Sequence, residues 1–245
     1  MSKVAQKSVQ EFSANILKDL LPEDTSRILT PRIVALRCLE TLTRRLRSDG
    51  NTDTLMNDEL ISRLLAIINS SIAPSTPTSA DAQNLEASLS ILEAGSISSA
   101  PSQGSSWSTT TLTQRCALLS PLLNLPDAQG ERIQTLALKL TLNLTNNNPK
   151  ICDLFASPAL VGRLVESIVG HFGVVTNGEV GEGEREIRRD NLLLSLGAMF
   201  NLAECSGKAR RAVVSGGDGL VEALVKCFGE GLERADQVSL FFLNL

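Results

Sequence analysis

Apolar positions recur at helical spacing through most of the chain. From Val4 to Leu21, the residues Val4, Val9, Phe12, Ile16, Leu17, Leu20 and Leu21 form one stripe, and Pro22 ends it. Pro31 opens a second helix as a favourable first residue, with Ile33, Leu36, Leu39, Leu42 and Leu46 facing inward. Arg37, Arg44, Arg45 and Arg47 decorate its other side, and Asp49-Gly50 closes it. A third helix is predicted from about Leu55 to Ile72, with Leu60, Leu64, Ile67 and Ile68 inward. No segment alternates with period two for long enough to make a strand, so the expected class is all-α.

The pattern then breaks. Residues 74–84 and 95–111 are rich in Ser, Thr, Pro and Gly and offer little to bury. Between them Leu85–Ala94 can form one short helix, with Leu85, Leu89 and Leu92 on a face. The whole of 73–111 reads as a low-complexity, mobile insertion whose hydroxyls are potential phosphate acceptors. It separates N-terminal helical repeats (1–72) from a second repeat region (112–245).

That second region repeats itself. Leu142-Asn143-Leu144, Phe200-Asn201-Leu202 and Leu243-Asn244-Leu245 each close a strongly apolar helix: Ile133–Leu144, Leu192–Leu202 and Val238–Leu245. Pro149 to Ser157 matches Gly207 to Ser215 at a constant offset of 58. The spacing from Asn201 to Asn244 is 43 residues, inside the roughly 40–47 of armadillo and HEAT repeats. Asn143 to Asn201 is 15 longer, and the Gly- and Glu-rich stretch Val175–Arg185 is expected to take up the excess as a loop. Each unit reads as a short first helix (Lys150–Ala156; Lys208–Ser215), a second (Leu160–Phe172; Leu220–Phe228) and a long third, which favours the three-helix armadillo form. The fold expected is an armadillo/HEAT-like helical solenoid. Its last helix stops at Leu245 without a cap, and solenoid ends need capping. That leads us to expect a fragment, a truncated product or an end covered by a partner.

Composition narrows the function. With 245 residues, 42% of them apolar, there is material for the core of one domain or two joined units. Aromatics are 3%, with no Tyr and a single Trp, Trp107 in the Ser-rich stretch, which suits neither base stacking nor a carbohydrate surface. The net charge of −4 argues against direct nucleic-acid binding. No apolar stretch approaches the roughly 20 residues that cross a bilayer, so no membrane is expected. The cysteines Cys38, Cys116, Cys152, Cys205 and Cys227 are scattered without CxxC spacing and predict a reducing compartment, cytosol or nucleus.

Candidate contact residues fall into sets. Asn143, Asn201 and Asn244 occupy equivalent places on successive third helices, where amides can hold the backbone of an extended peptide or, instead, satisfy backbone groups at the helix ends. Arg37, Arg44, Arg45 and Arg47 have few acidic neighbours in sequence and form the better basic patch. Arg185, Arg188, Arg189, Lys208, Arg210 and Arg211 are interleaved with carboxylates and read as a solvated mixed face. The lone His171 has no metal or catalytic partner, and the acidic Gly178–Gly183 loop would repel phosphate. No Ser/His/Asp set, carboxylate pair or metal motif is present, so no catalytic, cofactor-binding or metal residue is expected and the reading is a non-enzymatic binding scaffold.

The run Leu140-Thr-Leu-Asn-Leu-Thr-Asn-Asn-Asn-Pro149, taken with Leu196-Gly197-Ala198-Met199-Phe200-Asn201-Leu202-Ala203-Glu204 and Lys208-Ala209-Arg210-Arg211, resembles the C-terminal domain of Wings apart-like proteins. The likeness runs over Leu112–Leu245 and, by helix pattern alone, the first 72 residues. It implies an armadillo/HEAT-like protein of the nucleus that releases cohesin from chromatin, with cohesin subunits and cohesin's accessory HEAT proteins as partners. The Phe-Gly-Phe motifs through which that family contacts cohesin do not occur in this chain. The residues alone also admit a generic armadillo adaptor holding an extended peptide in its groove, although no third helix carries the Trp that import receptors pair with their Asn.

Overall fold

A computed structural model describes residues 30–48, 55–56, 58–72, 78–96, 128–146, 148–176 and 180–215, with isolated helical positions at Ser8, Glu11, Asn15 and Val225. The described elements are α1 (Thr30–Ser48), α2 (Asp58–Ile72), α3 (Ser79–Ser96), α4 (Ala128–Thr145), α5 (Pro149–Phe155), α6 (Pro158–Thr176), α7 (Glu182–Cys205) and α8 (Gly207–Ser215). There is no strand among the described residues, and the protein is an all-α helical solenoid. The helices expected over Val4–Leu21, Leu220–Phe228 and Val238–Leu245 lie outside the described residues apart from those isolated positions. The helices group into two compact units, Met1–Leu118 and Leu119–Leu245.

In the first unit α1 and α2 both pack on α3. Leu36 and Leu39 of α1 and Leu60, Ile61, Leu64, Ile67 and Ile68 of α2 are fully buried, the i, i+3, i+4 faces the sequence predicts. Helix α3 overturns the expectation of mobility for residues 79–96. The short helix foreseen at Leu85–Ala94 is longer and forms the centre of this unit. Because neighbours cover it on two sides, Leu85, Ala87, Ser88, Leu89, Ser90, Ile91, Leu92 and Ala94 are all buried. Its start is set by a reciprocal cap: Asp81 N–H donates to Thr78 Oγ1 (3.2 Å), and Thr78 N–H donates to Asp81 Oδ2 (2.9 Å). Small residues bring the neighbours close. A Cβ on Gly95 would lie 2.5 Å from Met56 Sδ.

In the second unit α5, α6 and α7 form one short–long–long repeat. Helix α4 is the third helix of the repeat before it, and α8 is the first helix of the repeat after it. Helix α7 packs against α4, α5, α6 and α8. Equivalent caps mark the repeat. Asn148 Oδ1 accepts from Ile151 N–H ahead of Pro149, and Ser206 Oγ, 58 positions on, accepts from Ala209 N–H. The helices extend into both ends of the expected loop at Val175–Arg185: α6 runs to Thr176 and α7 begins at Glu182. Glu182 and Glu184 sit in the first turn of α7, where the helix dipole favours carboxylates, and Arg185 Nη2 donates to Val180 O (3.2 Å).

One stretch departs from the expected absence of long apolar segments. Pro158–Val175 within α6 is long and apolar enough, by length and composition, to cross a membrane. Its Leu160, Val161, Leu164 and Ile168 are buried in the unit while Arg163 and Glu166 form an exposed ion pair, the two-faced pattern of a core helix.

Leu89→Ala is expected to lower the unfolding free energy by about 2–5 kcal/mol in a urea titration, the usual loss for a buried leucine. A mobile insertion would lose nothing.

Candidate functional site

The second unit is organised around the joint between α4 and α7. Thr135 Oγ1 donates to Asn191 Oδ1 (2.7 Å), Arg188 pairs with Glu131, and Asn201 Nδ2 donates to Leu142 O and Thr145 Oγ1 (3.3 Å each). Partners lie 56 to 59 residues apart along the chain, so α4 and α7 run parallel at the offset the sequence repeat gives. Between these clamps, a Cβ on Gly197 would lie 3.0 Å from Leu142 Cδ1, so glycine lets Leu142 seat against α7. The run Leu196-Gly197 to Asn201-Leu202 thereby acquires a shape: glycine admits a leucine, and one turn on the amide holds that leucine's carbonyl. Asn143 is half-buried, and Asn244 lies outside the described residues.

The thiol of Cys152 on α5 enters the same joint, donating to Thr145 O (3.2 Å) and reaching Asn201 O (3.7 Å). Burial, followed by the neighbouring Cys205, pushes this thiol up to about 12. Sequence spacing gave no sign of that pair because the two cysteines come from helices 53 residues apart.

The arginine face of α1 is less open than its sequence suggests. Arg37 and Arg44 both hold Glu40 (2.8 and 2.7 Å), and Arg47 pairs with Glu93 of α3 (3.3 Å). Glu40 is 8% exposed and also accepts from Ser90 Oγ (2.7 Å). Burial raises its pKa, but the hydrogen bonds from Arg37 and Ser90 and the charges of Arg44 and Arg37 outweigh that and leave it below the ordinary carboxylate value. Charge pairing therefore corrects the picture of a patch with few acidic neighbours. Beside it runs an apolar groove lined by Ile33, Val34, Cys38, Thr41 and Leu42, with Arg37 and Arg45 at its margin.

The mixed basic cluster of the second unit is also engaged. Arg188 spans Glu131 and Glu184, while Arg210 Nε donates to Ala203 O (2.9 Å) and Lys208 Nζ to Asp153 O (3.4 Å). Arg189 and Arg211 are exposed. His171 of α6 is 2% exposed, and neither ring nitrogen has a hydrogen-bond partner among the described residues. Burial first, and then the Arg188 charge, depresses it to about 4, so it is a neutral core residue at pH 7. Among the described residues no cluster of His, Cys, Asp and Glu is placed to hold a metal ion.

One complete three-helix module, clamped to the last helix of the repeat before it and followed by the first helix of the next, makes this an armadillo-like helical repeat protein. The chain belongs to the Wings apart-like family: the family model for Wings apart-like protein regulation of heterochromatin matches residues 1–209. The match takes in α1 to α3 as well as the repeat whose motifs carry the resemblance. This is a family of regulators that act on chromatin-associated complexes. No curated protein and no solved structure matches the chain.

Two outcomes test the joint and the core. Asn201→Ala is expected to lower the unfolding free energy by about 1 kcal/mol in a denaturant titration, because Leu142 O and Thr145 Oγ1 each lose the one partner that ties them to α7. An amide held only for a ligand would leave stability unchanged. His171 binds its proton more weakly folded (about 4) than unfolded (6.5), so stability should fall as pH drops from 6.5 to 4, by an amount on the order of 3 kcal/mol. His171→Leu should remove that part of the pH dependence, and an unchanged slope would refute it.

Proposed function

We propose that this chain is a non-enzymatic nuclear regulator of cohesin, engaging cohesin subunits and cohesin's accessory HEAT proteins on chromatin to promote release and so limit sister-chromatid cohesion. The family match over residues 1–209 is the observation that supports this reading. Such a protein needs no chemistry. A surface that binds the opened ring more tightly than the closed one shifts the population by its differential affinity alone. The surface assigned to that contact in the first unit is the groove of α1, where Val34 is 57% exposed and Arg37 and Arg45 flank an apolar floor. Arg44 and Arg47 act from behind it by holding Glu40 and Glu93.

A second reading, an extended peptide along the third helices, is favoured by Phe200. This side chain is 40% exposed on α7 beside Asn201 and is the one aromatic among the exposed large apolar residues described. In that reading Asn143 and Asn201 lie beside the bound backbone, Asn201 with its carbonyl oxygen because its amide already holds α4, and Asn244 lies outside the described residues.

Both readings meet in one experiment. The chain should co-precipitate with purified cohesin, and Val34→Asp with Arg45→Glu should weaken capture at least tenfold without lowering the melting temperature. Full capture by that double variant would take the α1 face out of the argument. Loss with Phe200→Ala alone would favour the groove of the third helices.

A further inference from the structure

We propose that Cys152 and Cys205 form a reversible dithiol–disulfide pair that staples the first helix of a repeat to the end of its third. The two cysteines are neighbours although 53 residues separate them in the sequence: the Cys152 thiol reaches the Asn201 carbonyl of α7, and Cys205 is among the groups that shift it. The backbone places them independently. Cys152 Sγ lies 3.7 Å from Asn201 O, the carbonyl that the Cys205 N–H addresses in an α-helix. Cys205 is the last residue of α7, one turn beyond Asn201 and on the same face.

Their exposure gives them different roles. Cys205 is partly exposed and meets the oxidant, whereas Cys152 is fully buried and held as a thiol by Thr145 O. With hydrogen peroxide as oxidant, the Cys205 sulfur attacks one peroxide oxygen, the O–O bond breaks, and water leaves a sulfenic acid. Cys152 sulfur then attacks that sulfur. The S–S bond forms, the S–O bond breaks, and the departing hydroxide takes the Cys152 proton as a second water. Each sulfur gives up one electron, and the peroxide receives both. The disulfide replaces the Cys152–Thr145 hydrogen bond with a covalent tie between α5 and α7, so oxidation tightens the repeat. This inference stands apart from the cohesin reading, since it concerns the joint and not the partner.

The whole chain, treated with hydrogen peroxide, alkylated and digested without reductant, should yield one linked peptide pair carrying Cys152 and Cys205. It should lose two hydrogens in mass and recover them with dithiothreitol. The melting temperature should rise by several degrees on oxidation in wild type and stay put in Cys205→Ser, with Cys38→Ser behaving as wild type. If peroxide leaves Cys205 as sulfenic or sulfinic acid, links it to another cysteine, or yields no linked peptide, the proposal falls. Mapping of the wild-type chain decides this even if the Cys205→Ser variant does not fold.

Discussion

The amide of Asn201 holding the carbonyl of Leu142 is the contact on which the second unit turns. A helix ends with four carbonyls that have no partner within it, and these must be satisfied from outside. Here the last turn of α4 draws on the Asn146 N–H and on the next repeat's third helix. The repeat therefore stacks in one register only. Sliding α7 by a turn would strip Leu142 O of its Asn201 donor, leaving the Asn146 N–H behind, and drive Leu142 into a side chain instead of Gly197. Thirteen residues earlier, Arg188 and Glu131 clamp the same two helices, so α7 is fixed at two places about 20 Å apart.

Glu40 does for the first unit what Asn201 does for the second. A buried carboxylate is tolerable only when its lone pairs are used, and Arg37, Arg44 and Ser90 use them from two helices. The arrangement draws α1 onto α3 and, by the same act, removes positive charge from the surface. What remains outward is an apolar strip with cations at its margin, a surface that discriminates by shape and placement more than by net charge.

Much of this was legible in the sequence because helical spacing and the Asn-Leu endings report directly on burial. The 58-residue offset is reproduced by side-chain contacts between α4 and α7, and the short–long–long order follows from Pro149, Pro158 and Gly207 standing where helices begin. Helix α3 was harder to read. Its Ala, Ser and Gly content resembles low complexity, yet a helix covered on two sides needs small residues for close approach, as Gly95 against Met56 shows. Reading Leu85–Ala94 as a short helix inside a mobile stretch, and not as the centre of the unit, also hid the pairing of Ser90 and Glu93 with the α1 cluster. At Val175–Arg185 the break between α6 and α7 falls where Gly and Glu suggest it, but α7 starts earlier than expected because Glu182 and Glu184 are stabilised at a helix start. The Cys152–Cys205 pair left no local trace, because proximity across a repeat is a property of the stack and not of spacing.

Were the proposed function to operate by preferring one state of a partner, the scaffold itself would have to resist deformation, since any strain it absorbs is subtracted from the preference it can impose. The polar clamps serve that need better than apolar packing alone would. Apolar contact between third helices is nearly indifferent to a shift along the axis, whereas a hydrogen bond to a helix-terminal carbonyl is lost within an ångström or so of movement. Asn201, Thr135 and the Arg188–Glu131 pair thus convert a stack of greasy helices into one with a defined pitch. Contact specificity can then be written on residues of the second unit that the clamps do not use, such as Phe200, without disturbing the helices that present them.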